Sequence, residues 1–387
     1  MTRLEELIAA LCPDGVELVT LGDVCAFKRG TSITKKDTVN GSVPVIAGGQ
    51  TPAYYHNEFN RTGETIIVSG SGAYAGFVSY WTIPVFVSDA FTVEPSDGLF
   101  VKYVYYFLTS IQECIHETKK GGGVPHVHGS SIRHFKIPLP PLPVQHEIVR
   151  ILDNFTELTA ELTSELAARK KQYNYYRNEL LTFGDDIPVL SLREVLQPKG
   201  YIRGPFGSAL KKEFFAADGT PVYEQQHAIY DSRDFRYYID EERAKELKRF
   251  FVNTGDLIIS CSGTIGKISI IQQNDLKGVI NQALLILRLD PSKVLTKYVK
   301  YYLECFTHLI VCSTGGAITN IEKREIIERI PIPCPSLAEQ ERIISILDSF
   351  EALTTDSTNG LPAEIAARQK QYEYYRDKLL LFKERVA

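Results

Sequence analysis

Apolar residues recur at steps of three and four along two long stretches of this chain, near residues 142–183 and 336–387. Such spacing predicts helices with a continuous apolar stripe along one side. The first stripe is formed by Ile148, Leu152, Phe155, Leu158, Leu162, Leu166, Tyr173, Tyr176 and Leu180. The second stripe is interrupted near 357–362, where Asn-Gly followed by Pro predicts that one helix ends and another begins. Two stripes of similar length predict that the helices pack antiparallel on each other.

The end of each long helix carries the same sequence. Residues 167–183 and 366–382 are identical at 12 of 17 positions, and the similarity extends upstream to two proline-bounded segments, 137–140 and 330–333. A long-period repeat of this kind predicts a duplicated architecture. Residues 17–24 also resemble 187–195, the segment that follows the first long helix. The N-terminus therefore looks like the end of a repeat that starts at the C-terminus, which predicts a circular organisation.

Two blocks precede the long helices, at about 20–135 and 187–330, and both are rich in β-branched and aromatic residues punctuated by Gly and Pro. In the first block this pattern predicts strands at 64–68, 77–80 and 85–88 and a helix over 101–114. The second block repeats the plan: 62–76 aligns with 254–267, and 102–108 aligns with 297–303. The predicted fold class is α+β, with two mixed α/β domains separated by two long antiparallel helices that form a coiled coil in an internal pseudo-twofold repeat.

Composition narrows the choice of function without fixing it. The 387 residues carry 43 Lys and Arg against 47 Asp and Glu, a net charge of −4 that counts against an independent nucleic-acid binder. The seven Cys contain no Cys-x-x-Cys pair and indicate reduced thiols in an intracellular protein. No apolar run is long enough to span a bilayer and no signal peptide is apparent, so we expect a soluble, cytoplasmic protein without membrane partners.

Motifs for catalysis are not found in the sequence. The glycine-rich segments 70–76 and 263–267 lack phosphate-loop spacing and precede strand-like residues, so hairpin turns are the better interpretation. His126 and His128 have no carboxylate or thiol set at a matching spacing, which favours a loop over a metal site. We therefore expect a protein that is not an enzyme and holds no metal.

Basic and small polar residues cluster in several loops, for example at 28–30, 35–36, 119–120 and 211–212. For any one cluster, solvated surface is an equally good interpretation, but such loops also suit contacts to phosphates and base edges. In the repeated helix sequence, Tyr175 and Tyr374 lie off the apolar stripe, beside Arg177 and Arg376. This placement suits a second helical partner laid along the helix pair.

With its doubled Ala-Ala-Arg-x-Lys-Gln-Tyr-x-Tyr-Tyr-Arg motif, proline-rich entries and two divergent β-rich blocks, the chain resembles the specificity (S) subunit of type I restriction–modification systems. The resemblance covers essentially the whole chain in the family's order. It implies an N-terminal target-recognition domain (1–141), a first conserved helix (142–183), a C-terminal target-recognition domain (184–335) and a second conserved helix (336–387). It also implies that the subunit is non-catalytic and that each domain recognises one half of a bipartite site in double-stranded DNA.

The resemblance further implies that the paired helices set the spacing between half-sites and dock two methyltransferase (M) subunits, which restriction (R) subunits can join. S-adenosylmethionine is then expected in the M subunits and no cofactor in this chain. Because partners can supply much of the phosphate neutralisation, a near-neutral S chain is compatible with DNA binding. The competing hypothesis is a scaffold that does not bind DNA, with two ligand-binding domains on a coiled-coil spacer.

Candidate DNA-binding residues are chosen from polar or glycine-rich loops, and candidate partner-binding residues from the repeated helix sequence. The first domain contributes Lys28, Arg29, Thr31, Lys119, Lys120, His126 and His128. The second contributes Arg203, Ser208, Lys211, Lys212, Lys267, Thr319 and Asn320. The partner-binding candidates are Tyr175, Arg177, Tyr374 and Arg376.

Overall fold

The computed structural model describes residues 2–121, 123–312, 320–356 and 358–385, without the side chains of Cys312 and Asn320. The chain forms two compact units. The first comprises Met1–Ser164 together with Ala363–Ala387, and the second comprises Glu165–Pro362. The first unit therefore combines both ends of the chain, as the circular organisation predicted.

The first half of the chain alternates short strands with short helices and ends in one long helix. Its helices are α1 (Arg3–Leu11), α2 (Leu21–Val24), α3 (Val101–Ser110), α4 (Gln112–Glu117), α5 (Gly129–Ile132) and α6 (Leu142–Leu181). Its strands are β1 (Leu18–Thr20), β2 (Cys25–Arg29), β3 (Val43–Ile46), β4 (Tyr54–His56), β5 (Thr65–Ser69), β6 (Val78–Trp81), β7 (Phe86–Val87), β8 (Ala90–Pro95) and β9 (Lys136–Pro138).

The second half repeats this order and ends in two helices. Its α-helices are α7 (Leu192–Val195), α8 (Gln225–Ile229), α9 (Glu241–Glu246), α10 (Thr296–Cys305), α11 (Arg324–Ile327), α12 (Leu337–Thr355) and α13 (Leu361–Leu379). Its 3₁₀ helices are Gly207–Leu210, Lys212–Phe214, Lys248–Phe250 and Thr307–Leu309. Its strands are β10 (Val189–Ser191), β11 (Leu196–Arg203), β12 (Thr220–Tyr223), β13 (Tyr238–Ile239), β14 (Leu257–Ser260), β15 (Ile268–Ile270), β16 (Val279–Ile280), β17 (Leu284–Leu289), β18 (Val311–Cys312), β19 (Asn320–Ile321) and β20 (Pro331–Pro333).

Both units contain the same pair of sheets. In the first unit a four-stranded antiparallel sheet has the order β2-β8-β5-β6, and a three-stranded sheet has the order β4-β3-β7. In the second unit the corresponding orders are β11-β17-β14-β15 and β13-β12-β16. Each smaller sheet combines one antiparallel and one parallel pair. The two blocks are therefore copies of one mixed fold, which confirms the predicted fold class.

Glycines with positive φ form the turns of the equivalent hairpins β5–β6 and β14–β15. Gly72 and Gly76 have φ values of 84° and 87°, and Gly263 and Gly266 have φ values of 65° and 74°. Residues with a Cβ rarely adopt these angles, so glycine fits the turns. Both segments join antiparallel strands, which confirms the hairpin interpretation over a phosphate loop.

A small two-stranded sheet attaches each domain to its long helix. Strand β1 pairs with β9 in the first unit, and β10 pairs with β20 in the second. The first unit also joins the chain ends, because the backbone N–H of Val16 donates to the carbonyl of Lys383 at 2.9 Å, and that of Arg385 donates to the carbonyl of Val16 at 2.9 Å. The resemblance of residues 17–24 to 187–195 thus reflects the same connection in both units.

Buried tyrosines and glutamines hold helix α3 and helix α10 in equivalent positions. The hydroxyl of Tyr103 donates to the carbonyl of Pro138 at 3.1 Å, and that of Tyr298 donates to the carbonyl of Pro333 at 2.9 Å. The fully buried Gln145 accepts a backbone N–H at 2.8 Å and donates to the carbonyl of Pro140 at 2.7 Å. These polar contacts satisfy groups that burial would otherwise penalise.

The apolar stripes of the long helices form part of the core of each unit. In the first unit Phe155 stacks on Tyr375 with ring centroids 5.4 Å apart, and in the second Tyr176 stacks on Phe350 at 5.7 Å. Leu152 and Leu380 belong to the same buried cluster. Helix α6 therefore packs on α13 in one unit and on α12 in the other.

The helix predicted over 101–114 is divided in the structure. Helix α3 ends at Ser110, and α4 begins at Gln112 after Ile111, whose φ and ψ of −103° and 22° are not helical. The apolar spacing continued across this bend and concealed it. Among the helices in the part of the chain that the structure describes, none is long and apolar enough to cross a membrane.

Candidate nucleic-acid interface

A cleft of about 570 Å³ opens on the first unit beside the end of strand β2. It brings together three of the candidate DNA-binding residues, Arg29, His126 and His128. The two imidazole rings are parallel, with centroids 6.1 Å apart. The residues that line this first cleft are Phe27, Arg29, Gly70, Asp89, Ala90, Phe91, His126, Val127, His128, Gly129, Ser130 and Arg133.

A second cleft, of about 810 Å³, opens on the second unit beside the end of strand β11. It brings together the candidates Arg203 and Ser208 and the side chain of Phe206, which is 89% exposed. The residues that line this second cleft are Tyr201, Arg203, Gly204, Pro205, Phe206, Ser208, Ala209, Leu247, Arg249, Phe250, Ile321, Glu322 and Arg324.

The register of the strands shows that the two clefts occupy equivalent places. Arg29 lies opposite Phe91 on strand β8, and Arg203 lies opposite Leu285 on the equivalent strand β17. Two residues earlier, Phe27 and Tyr201 are equivalent in the same way, opposite Val93 and Leu287. Each cleft therefore has an aromatic residue and an arginine at the end of the same strand.

A glycine fixes the end of this strand in both units. The N–H of Gly30 donates to the carbonyl of Ala90, and the N–H of Gly204 donates to that of Leu284, each at 2.9 Å. A Cβ on Gly30 would lie 2.3 Å from the carbonyl oxygen of Ser88, and a Cβ on Gly204 would lie 1.8 Å from that of Asn281. Since no side chain fits at either position, glycine is required for this close approach.

An arginine lies over the equivalent aromatic ring in each cleft. The guanidinium carbon of Arg133 is 5.4 Å from the ring centroid of Phe27, and that of Arg324 is 4.9 Å from the centroid of Tyr201. Burial raises the pKa of Tyr201 to about 12, so its ring stays neutral beneath the cation. Both arginines belong to the short helix α5 or α11 or follow it directly, but they come from different turns of that helix.

The remaining candidates of the first domain lie outside the lining of the first cleft. Lys28 pairs with the carboxylate of Glu94. The backbone N–H of Thr31 donates to the carbonyl of Val87 at 2.9 Å. Lys119 Nζ is 3.5 Å from the carbonyl of Ala73. Lys120 exchanges two backbone hydrogen bonds with His126, at 2.8 and 3.0 Å, so it lies directly beside the cleft.

The remaining candidates of the second domain are also outside the lining of their cleft. Lys211 and Lys212 are exposed, and Lys211 pairs with Glu213 at 3.6 Å. Lys267 is exposed after the hairpin turn that includes Gly266. Thr319 and the side chain of Asn320 lie outside the described residues.

The four partner-binding candidates repeat one surface on the two helix copies. Tyr175 and Tyr374 are each 61% exposed. The guanidinium carbon of Arg177 lies 5.4 Å from the ring centroid of Tyr173, and the equivalent distance for Arg376 over Tyr372 is 5.7 Å. Side chains of α6 that include Tyr175 and Arg169 also line a groove of about 600 Å³. The two helices thus present matching exposed tyrosines above matching cation–π pairs.

Sequence reasoning missed Arg133, Arg324 and Arg249, which line the clefts together with the predicted arginines. Lys323 and Arg324 form a basic pair in the sequence, a signal that pointed to this place. Arg133 stands in a mixed segment without a second Lys or Arg directly beside it, and only the folded structure brings it to the ring of Phe27. Within the described residues, no three His, Cys, Asp or Glu side chains cluster as metal ligands would.

Comparison with known proteins connects these features to one family. The family model for the type I restriction modification DNA specificity domain matches residues 13–169 and 207–367. The chain is 31% identical to the specificity subunit of the type I restriction enzyme EcoR124I/EcoR124II of Escherichia coli, over 99% of this chain and 97% of that protein. A putative type I specificity subunit of Haemophilus influenzae is also 31% identical, over 89% of both chains.

A solved structure shows the same fold. The S subunit of a type I restriction–modification system from M. genitalium superposes with a TM-score of 0.57 at 18% identity, covering 95% of this chain and 96% of that one. The family model matches two segments that together span most of the chain, each with most of one copy of the duplicated fold described above. The chain belongs to the family of specificity subunits of type I restriction–modification systems.

Proposed function

We propose that each domain of this chain recognises one half of a bipartite site in double-stranded DNA. The observation that carries the proposal is the pair of equivalent clefts, each with an arginine fixed at the end of the same strand. Arginine donors suit both phosphates and guanine edges. A duplicated fold whose clefts share this arginine but differ in their walls suits two related tasks on two different half-sites.

The paired helices set the spacing of the half-sites and dock two M subunits. The matching surfaces around Tyr175 and Tyr374 support this role, because two copies of one surface suit two copies of one partner. In both copies the exposed tyrosine meets its neighbouring tyrosine edge-on at 76°, with centroids 5.4 and 5.3 Å apart. Exposed tyrosines flanked by arginine are typical of protein interfaces.

Catalysis resides in the partners and not in this chain. Methylation of adenine, with S-adenosylmethionine bound in the M subunits, and cleavage by R subunits complete the proposed complex. A net charge of −4 leaves much of the neutralisation of DNA phosphates to those partners, so the isolated chain is expected to bind DNA weakly. Family membership favours DNA recognition over the ligand-binding scaffold.

The test is to express the chain with its candidate M subunit and to map methylated adenines by single-molecule sequencing. We expect a motif of two short specified halves around a fixed unspecified spacer. If the two chains co-purify and methylate a continuous or unspecific motif, the assignment of one half-site to each domain is wrong.

A separate experiment tests docking. Tyr175→Ala and Tyr374→Ala are each expected to lower the number of bound M subunits from two to one in native mass spectrometry, and the double variant is expected to lose both. Tyr74→Ala, at an exposed tyrosine outside the helices, is the control and should keep two. Retention of two M subunits by the double variant would place the docking surface elsewhere.

A further inference from the structure

We propose that Arg29 and Arg203 each bind a guanine edge in the half-site of their own domain, so that both halves contain a G·C pair at the equivalent place. This inference rests on the proposed function and adds the residue that makes the contact and the base that it selects. Guanine is the base inferred because its O6 and N7 accept both hydrogen bonds of an arginine fork.

The first argument is the equivalence of the two arginines. Both end the strand that carries the cleft, and both precede a glycine that is hydrogen-bonded to the neighbouring strand at 2.9 Å. The carbonyls beside Gly30 and Gly204 leave no room for a side chain, so the strand end cannot shift freely. The backbone that carries each arginine is therefore held both by a hydrogen bond to the neighbouring strand and by close packing against carbonyl groups.

The second argument is that in the second cleft a donor of Arg203 is available, whereas the neighbouring Arg324 is occupied. Nη1 of Arg203 is buried and makes no hydrogen bond to any described residue. By contrast, Arg324 lies over the ring of Tyr201 and donates to the carboxylate of Glu328 at 2.7 and 2.8 Å. A buried donor without a partner is costly unless a ligand or water satisfies it. In the second cleft, Arg203 is thus the arginine that has a donor left for an acceptor.

The third argument separates base recognition from phosphate binding. A phosphate is attracted by charge and tolerates many orientations, whereas discrimination between bases needs a donor pair with a fixed direction. Exposed lysines, such as Lys212 and Lys267, meet the first requirement. The arginines held at the strand ends meet the second.

The walls of the clefts explain how two half-sites can differ around a shared base. By the numbering offset that relates Tyr103 to Tyr298, His126 corresponds to Ile321 and Val127 corresponds to Glu322. The first wall thus offers an imidazole where the second offers an apolar side chain, and an apolar side chain where the second offers a carboxylate. The common arginine fixes one base in each half, and the divergent walls select the others.

The experiment uses the full chain in complex with its M subunit and maps methylated adenines for single variants. Arg203→Ala is expected to reduce the preference for guanine at one position of one half by about tenfold or more, and to leave the other half unchanged. Arg29→Ala is expected to do the reverse. Each variant therefore serves as the control for the other.

Two further variants keep the test decisive. Arg203→Lys retains the charge but not the fork, so a base contact loses specificity whereas a phosphate contact is largely kept. Arg236→Ala is the control, because Arg236 is paired with Glu224 and lies 5.5 Å from the ring centroid of Tyr237, but it does not line the cleft. This variant should leave the motif unchanged.

Several outcomes would overturn the inference. A half-site without any G·C pair contradicts it directly. If Arg203→Ala lowers methylation equally at all sites and leaves the motif unchanged, Arg203 contacts a phosphate and not a base. If the wild-type complex shows no bipartite motif, the proposed function fails first, and this inference fails with it. If thermal unfolding shows that Arg203→Ala no longer folds, the Lys variant at the same position decides.

Discussion

Gly204→Ala should disable recognition by the second domain, because the added methyl group would overlap backbone atoms of Asn281. The Cβ would lie 1.8 Å from the carbonyl oxygen of Asn281 and 2.6 Å from its carbonyl carbon. Real Cβ contacts are not shorter than 3.0 Å, so the strand end must move by about 1.2 Å or more. That movement displaces Arg203, the preceding residue, and strains the hydrogen bond from Gly204 to Leu284.

The expected magnitude has a structural part and a functional part. Overpacking of this kind costs about 1–3 kcal/mol of stability, and loss of one backbone hydrogen bond adds about 0.5–1.5 kcal/mol. A bidentate base contact is worth about 1–3 kcal/mol of discrimination, which corresponds to roughly 5- to 150-fold in preference. A shift of about 1 Å is enough to break such a contact, because hydrogen bonds weaken steeply with misalignment.

The assay compares Gly204→Ala with Gly207→Ala, three residues further along the chain, at the start of a 3₁₀ helix. A Cβ on Gly207 would meet nothing closer than the side-chain carbon of Gln282 at 4.0 Å, so this control should behave like the wild type within about 0.5 kcal/mol. Thermal unfolding measures stability, and mapping of methylated adenines measures the preference of each half-site. If Gly204→Ala matches Gly207→Ala in both measurements, the reasoning about a strand end held by close packing is wrong.

Three further predictions concern stability and spacing. Tyr106→Phe should lower the free energy of unfolding of the first unit by about 1.5–3 kcal/mol, because the Tyr106 hydroxyl donates to the Asp153 carboxylate at 2.5 Å. Urea titration followed by the fluorescence of the single Trp measures this change, with Tyr74→Phe as the control. Equal unfolding midpoints for the two variants would contradict the prediction. The imidazole of His227 accepts a backbone N–H at 2.7 Å, and burial lowers its pKa from 6.5, so stability that is present above pH 6.5 should be lost as the pH falls below that value. His227→Gln should remove this part of the pH dependence of stability, measured as denaturation by circular dichroism at several pH values. An unaltered pH dependence would argue against the prediction. Deletion of residues 163–166 should shorten helix α6 by about 6 Å and rotate its two ends relative to each other by roughly 40°. We expect this change to shorten the unspecified spacer of the DNA site by about one base pair. A spacer of unchanged length in the methylated motif would refute a measuring role for the helix.

The architecture could be predicted because the repeated sequence is strongly constrained by packing. In each copy of the helix motif a stripe tyrosine stacks on a phenylalanine of the other helix, and the neighbouring arginine lies over a second tyrosine ring. Substitution at such positions disturbs several contacts at once, so the copies stay similar. The circular organisation was visible for the same reason, since 17–24 and 187–195 both pair with the proline-bounded segments before the long helices.

The clefts could be predicted only in part. Arg29 and Arg203 stand in basic or glycine-containing segments and were chosen as candidates for that reason, but their equivalence was not predicted. Between Leu196 and Tyr201 strand β11 contains a register shift, and Lys199 within it has a φ of 62°. The equivalent part of strand β2 pairs with its neighbour without a shift. The additional residues move the second arginine out of line with the first in any comparison of the sequences.

The arginines over the aromatic rings could not be predicted as equivalent by comparing the two halves of the sequence. Arg133 and Arg324 make equivalent contacts, yet by the offset that relates Ile132 to Ile327, Arg133 corresponds to Glu328 and Arg324 corresponds to Gly129. One turn of a short helix separates the two solutions, and both place a guanidinium over the same ring. A Cβ on Gly129 would already lie 3.1 Å from the Phe27 side chain, so the first unit has no room for an arginine there and supplies it from the next turn. What the two units preserve is the position of a charge in space, and sequence comparison follows positions in the chain.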